Sequence, residues 1–276
     1  MTMKSFVFQL KSQINQRDFK ITFALLCLMS IGAVLLNCIK AYGINYMRVR
    51  SAADNFLLCA PSSRAIMMIF SLLFPFIAAT LGSGYRKNNE KKGDGLFSLL
   101  RMNRRQYIVG NAVAVVLITT VSILFILILN QLLCCIAFPI EGFDNRFGIS
   151  VYAKAVTYDK NLLFDYWQIN NPYVYNLLYS VIISVLAGGI ALLTYGLELY
   201  DIFEKLKPIH ISIIIFVFFI FIMIISHNLN IPLISYLSYV EVNHNISFSS
   251  YLIFVSAIYV IGIALSLKGC NRYEYI

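Results

Sequence analysis

Six apolar runs divide the chain, at residues 21–39, 65–85, 107–138, 173–197, 209–226 and 251–267, and none of them contains Asp, Glu, Lys or Arg. Each is 17 residues or longer. At about 1.5 Å per helical residue they lie in the length range that crosses roughly 30 Å of hydrocarbon. The alternating apolar/polar pattern of a membrane barrel is absent, so backbone hydrogen bonding inside lipid demands helices. The pattern therefore predicts an all-α polytopic membrane protein, one transmembrane domain over 1–276 with six transmembrane helices.

The segments between the runs refine this picture. Phe6, Leu10 and Ile14 recur at four-residue spacing among Lys4, Lys11 and Arg17, which predicts an N-terminal amphipathic helix lying in the membrane interface. Residues 40–64 read as an outer segment whose Pro61-Ser62-Ser63 end starts the next helix. Pro75 falls near the middle of the second run and predicts a kink there. The third run would be about 48 Å long as a helix, and Asn130-Gln131 near its far end predicts that this end emerges from lipid or faces protein. Residues 139–172 thread Phe143, Phe147, Tyr152, Tyr158, Phe164, Tyr166 and Trp167 through an outer loop, the density of an interfacial aromatic belt. The fourth run carries Ser184, Ala187, Gly188, Gly189 and Ala191, which permit close helix approach. Residues 198–207 read as a short inner loop closed by Pro208, and 227–249 as short helices at the outer leaflet.

Charge supplies the orientation. The chain has 22 Lys+Arg and a net charge of +9, with 59% hydrophobic and only 13% charged residues. With both termini cytoplasmic, the inner segments 1–20, 86–105, 198–207 and 268–276 hold fifteen basic residues, and the outer segments hold seven. The positive-inside rule selects that arrangement. The same bias accounts for the net charge without nucleic acid as a partner. The abundance of Ile, Asn, Lys, Tyr and Phe points to a low-GC bacterium and hence to its plasma membrane.

The chemical inventory is sparse. No span places an ionisable side chain at mid-depth, which disfavours a pump or ion-coupled transporter working through such groups. His210, His227 and His244 form no HExxH, and no G-x-x-x-x-G-K-[ST] loop occurs, so the chain is expected to be neither a metalloenzyme nor an ATPase. The six cysteines form no CxxC and read as small apolar side chains rather than disulfide or metal ligands.

One loop stands out. Residues 86–105 hold seven basic residues (Arg86, Lys87, Lys91, Lys92, Arg101, Arg104 and Arg105) between two charge-free runs, and enclose the apolar island Leu96-Phe97-Ser98-Leu99-Leu100. In a helix over 94–100, Asp94 would serve as N-cap, and Leu96, Leu99 and Leu100 would share one face. That face needs a partner to bury it. Glu90, then Gly95, the paired leucines Leu99-Leu100, the basic pair Arg104-Arg105, and Tyr107 with Gly110 opening the next span together resemble the loop between the second and third helices of ABC type-2 permeases. Asn111 stands where that family usually has Lys, and Met102-Asn103 where it often has a proline turn. The resemblance implies a coupling helix at 94–100 seated on a separate ATPase subunit that binds ATP and Mg. It also implies a second permease chain, identical or not, in the lipid bilayer, a pathway at the permease interface, and export of a peptide or antibiotic. A secondary transporter or channel, or a membrane accessory protein such as an immunity protein, are the alternatives left open by the residues themselves.

Overall fold

A computed structural model describes residues 3–45, 49–84, 104–140, 163–204, 206–242 and 246–272. Ten α-helices occur among them: α1 (Met3–Ile14), α2 (Arg17–Ala41), α3 (Arg64–Gly82), α4 (Arg104–Ala137), α5 (Asp165–Asn170), α6 (Pro172–Glu198), α7 (Asp201–Glu204), α8 (Pro208–Asn228), α9 (Leu237–Val240) and α10 (Phe248–Arg272). No strand occurs among the described residues. Six of the helices, α2, α3, α4, α6, α8 and α10, are long and apolar enough to cross a membrane, and each coincides with one of the apolar runs. The multi-pass membrane character read from the hydropathy pattern is thus matched helix for helix. The end of the bundle where α2 and α4 begin and α3 and α6 finish is its proximal end; the distal end is opposite.

The bundle is organised around α6. Its start is set by Asn171, whose Oδ1 accepts the Val174 amide at 3.3 Å, and by Pro172 in the first turn. Nearly all of its residues from Ile182 to Gly196 are buried. Four helices approach it, and small residues set how closely. A Cβ on Gly82 of α3 would lie 2.6 Å from that of Ala191, and one on Gly262 of α10 would lie 2.9 Å from Leu192. Gly188 faces both Thr120 of α4 and Tyr259 of α10. The small-residue seam expected from 184–191 is therefore real, and it serves α3, α4 and α10 together.

Polar side chains in α6 are satisfied within the helix: the Ser180, Ser184 and Thr194 hydroxyls donate to the carbonyls of Asn176, Ser180 and Ile190 at 2.6–2.9 Å. Pro75 lies inside α3 and is buried. In the turn that its ring loosens, the carbonyl of Leu72 accepts the Tyr236 hydroxyl at 3.1 Å. Tyr236 comes from the connection between α8 and α10, which holds a single 3-10 turn (Pro232–Ile234) and α9. Its neighbour Tyr239 is also buried and donates to Leu233 O at 2.7 Å. Burial pushes the Tyr239 phenol up to about 12 and raises that of Tyr236 as well, so both remain neutral donors.

Two elements differ from the sequence reading. Residues 49–63 do not stay outside the bundle as a simple outer segment. They fold back into it as irregular backbone, with Ala52, Ala53, Phe56, Leu57, Leu58 and Ala60 all 2% exposed or less. Glu198, read as the first residue of an inner loop, is instead the last residue of α6 and is 1% exposed. Its carboxylate is drawn in because it accepts the backbone amide of Gly84.

Candidate functional site

The loop at 86–105 carries most of the sequence-derived site, and Glu90, Asp94, Gly95, Leu96, Leu99 and Leu100 lie outside the described residues. Arg104 and Arg105 open α4. Arg105 is exposed at the proximal end. What the structure supplies is the mounting of the loop.

Both of its ends are fastened to the last two turns of α6. On the α3 side, Gly84 has φ +81°, a conformation that costs glycine nothing, and its amide donates to Glu198 Oε1 at 2.6 Å. The left-handed turn also places Gly84 against Pro208 at the start of α8, where a Cβ would lie 3.2 Å from the ring. On the α4 side, the Tyr195 hydroxyl donates to the carbonyl of Ile108 at 3.3 Å. Ile108, Val115, Ala191, Tyr195 and Leu199 then close a small apolar cluster around that contact. Gly84 and Ile108, on either side of residues 85–103 in the sequence, are thereby both held to one buried helix.

The N-terminal helix covers the same region with an unexpected face. Gln9 and Gln13 of α1 and Gln16 just after it are buried, while Val7, Phe8 and Ile14 are exposed. Gln13 Nε2 donates to Leu81 O at 3.1 Å, at the end of α3, and Gln16 Oε1 lies beside Gly84. The helix exists where the four-residue spacing placed it, but it turns glutamines towards the protein. Spacing of i, i+4, i+7 puts Gln9, Gln13 and Gln16 on one side of a helix. That stripe is visible in the sequence once an inward polar face is considered. Gln9 has neither amide atom paired among the described residues, nor has Asn111 its Oδ1.

The distal end holds a second polar assembly, around residues 49–63. Asn130 Oδ1 accepts the Leu57 amide at 2.8 Å, while its Nδ2 donates to Ser30 O at 3.0 Å. Gln131 Nε2 donates to Ala52 O at 3.1 Å, and Asn176 Nδ2 to Ala53 O at 3.0 Å and Gln131 Oε1 at 2.8 Å. Asn37 Nδ2 donates to Asn55 O at 2.9 Å. Asn130 lies seven residues before the end of α4, so the Leu57 amide it holds sits about 10 Å along that helix from its end. Irregular backbone at such depth is tolerated only when protein satisfies its polar groups, and amides from α2, α4 and α6 do so here. Asn130-Gln131, read as emerging or facing protein, faces protein.

Among the described residues no three His, Cys, Asp or Glu side chains gather as a metal site would require. His210 and His227 are exposed at opposite ends of α8. No family model matches the chain, and neither a curated protein nor a solved structure matches it either.

Proposed function

We propose that the chain is the permease subunit of an ABC exporter in a bacterial plasma membrane, with its proximal end and both termini cytoplasmic. In this reading residues 94–100 form the coupling helix, seated on a separate ATPase subunit, and Glu90 and Arg104 flank it. A second permease chain completes the pathway, and the cargo is a peptide or antibiotic. The helix α1 lies in the inner interface with Val7, Phe8 and Ile14 towards lipid and its glutamines towards the bundle.

The observation that carries this reading is the pairing of the loop's sequence pattern with its mounting. A docking element transmits work only if its base is stiff. The loop's two ends are tied to Glu198 and Tyr195, on a helix packed by four others. The fifteen-to-seven division of basic residues supports placing that base in the cytoplasm. Six spans, an N-terminal helix and short helices between the last two spans agree with the layout implied by the resemblance.

The test is co-expression with an ABC ATPase subunit from the same genome, followed by purification through a tag on this chain alone. The two are expected to co-purify, with ATP hydrolysis in the complex and none by the chain by itself. ATP turnover by the isolated chain, or failure of the pair to associate in lipid, overturns the proposal.

A further inference from the structure

Between α4 and α10 runs an open groove of about 470 Å³ whose lining includes Arg105, Ala112, Val116, Leu192, Ile263 and Leu267. Its geometry follows from the seam on α6. Thr120 of α4 and Tyr259 of α10 both close over Gly188, so the two helices meet there. Towards the proximal end they separate, and Leu192 of α6 forms the floor. The lining runs along α4 from Arg105 to Leu117, twelve residues or about 18 Å of helix. The groove is thus closed at depth, open along its side, and ends at a guanidinium.

Its interior has no polar group to offer a ligand. The Tyr259 hydroxyl donates to Val185 O at 3.0 Å and that of Ser266 to Gly262 O at 2.8 Å, so both are engaged elsewhere. The charge is confined to the mouth, where Arg105 stands in the first turn of α4 and the helix N-terminus adds partial positive charge. A long apolar groove with one cation at its end matches, in polarity and charge, an acyl chain that carries an anionic headgroup. We infer that this groove is a seat for an anionic phospholipid, one acyl chain lying along α4 over Leu192 and the phosphate paired with Arg105.

A comparable arrangement recurs on the other flank of α4. There α1, α2 and α4 enclose a groove of about 670 Å³, lined mainly by Leu10, Phe23, Leu117, Val121 and Phe125, with Lys20 as its only charged lining residue. The lipid seat stands whether or not the chain is an exporter subunit, and it gives Arg105 to lipid rather than to the ATPase.

The test uses the full chain purified in detergent and incubated with phosphatidylglycerol or phosphatidylcholine of identical acyl chains, with bound lipid counted by native mass spectrometry. The parent should retain phosphatidylglycerol in preference. Arg105→Gln should remove about fivefold of that preference, the contribution of one basic residue at an anionic surface, and leave phosphatidylcholine unchanged. Ala112→Phe, which fills the groove, should lower both lipids. Lys207→Gln, an exposed basic residue at the same end, should change neither. Equal retention of the two lipids by the parent, or a parent-like result from Arg105→Gln or Ala112→Phe, overturns the proposal. So does disulfide cross-linking of two copies carrying Ile263→Cys in vesicles, which gives the groove to a second chain.

Discussion

Replacing Asn130 by Leu tests whether the inserted segment 49–63 is held by side-chain amides, because the change preserves approximate shape and removes both hydrogen bonds. The Leu57 amide, at 2.8 Å from Asn130 Oδ1, would be left buried without an acceptor, at a cost of about 1–3 kcal/mol. Loss of the 3.0 Å bond to Ser30 O adds about 0.5–1.5 kcal/mol. Together these amount to about 1.5–4.5 kcal/mol, directed at local opening of the segment because α2 and α4 also pack through apolar contacts such as the Phe23–Phe125 stack. At 1.36 kcal/mol per factor of ten, the open population rises by about tenfold to about two-thousandfold. Amide hydrogen exchange of the purified protein in nanodiscs reads this directly at residues 56–58. Asn228→Leu, at an exposed site at the end of α8, is the control and should leave those amides unchanged. Parent-like protection of residues 56–58 in Asn130→Leu would refute the reasoning and leave packing of Phe56, Leu57 and Leu58 as the sole anchor.

Other predictions concern the proximal end. Glu198→Leu leaves the buried Gly84 amide without its acceptor and should destabilise that turn by about 1–3 kcal/mol, seen as faster amide exchange at residues 81–84; Glu198→Gln, which keeps an acceptor oxygen, should lie close to the parent. For topology, Lys92→Cys and Glu274→Cys should react with impermeant thiol reagents only in opened cells, and Asp159→Cys in intact ones. Labelling of Lys92→Cys from outside would reverse the orientation.

How much of this was legible in the residues depends on which interaction fixes each element. The spans were, because length and the absence of charge are local properties, and α2, α3, α4, α6, α8 and α10 lie where the apolar runs lie. The seam at Gly188 and Gly189 was legible for the same reason, since a missing side chain announces close approach, though not that α4 and α10 would share it. The inward fold of residues 49–63 was not. Arg50 within it and Arg48 and Arg64 beside it in the sequence argue for water, and the amides that draw its middle inward belong to helices up to 123 positions away. Glu198 misled for a related reason: a carboxylate at the end of an apolar run reads as a loop residue until the Gly84 amide is brought beside it from 114 positions earlier. At α1 the four-residue spacing of apolar residues found the helix, while the glutamine stripe of Gln9, Gln13 and Gln16 that packs on the bundle has a similar period and went unread.

If the loop mounted on Glu198 and Tyr195 docks an ATPase through its apolar island, Leu99→Asp in the co-expressed pair tests that docking most directly. Burial of each island leucine against a partner is worth roughly 1.5–3 kcal/mol, so a charge at that position should prevent docking. The expected result is normal expression and membrane insertion of Leu99→Asp with loss of both co-purification and ATP hydrolysis, while Leu265→Ala in α10 retains both. A Leu99→Asp chain that assembles with the ATPase and hydrolyses ATP with it like the parent would contradict the coupling role of the island.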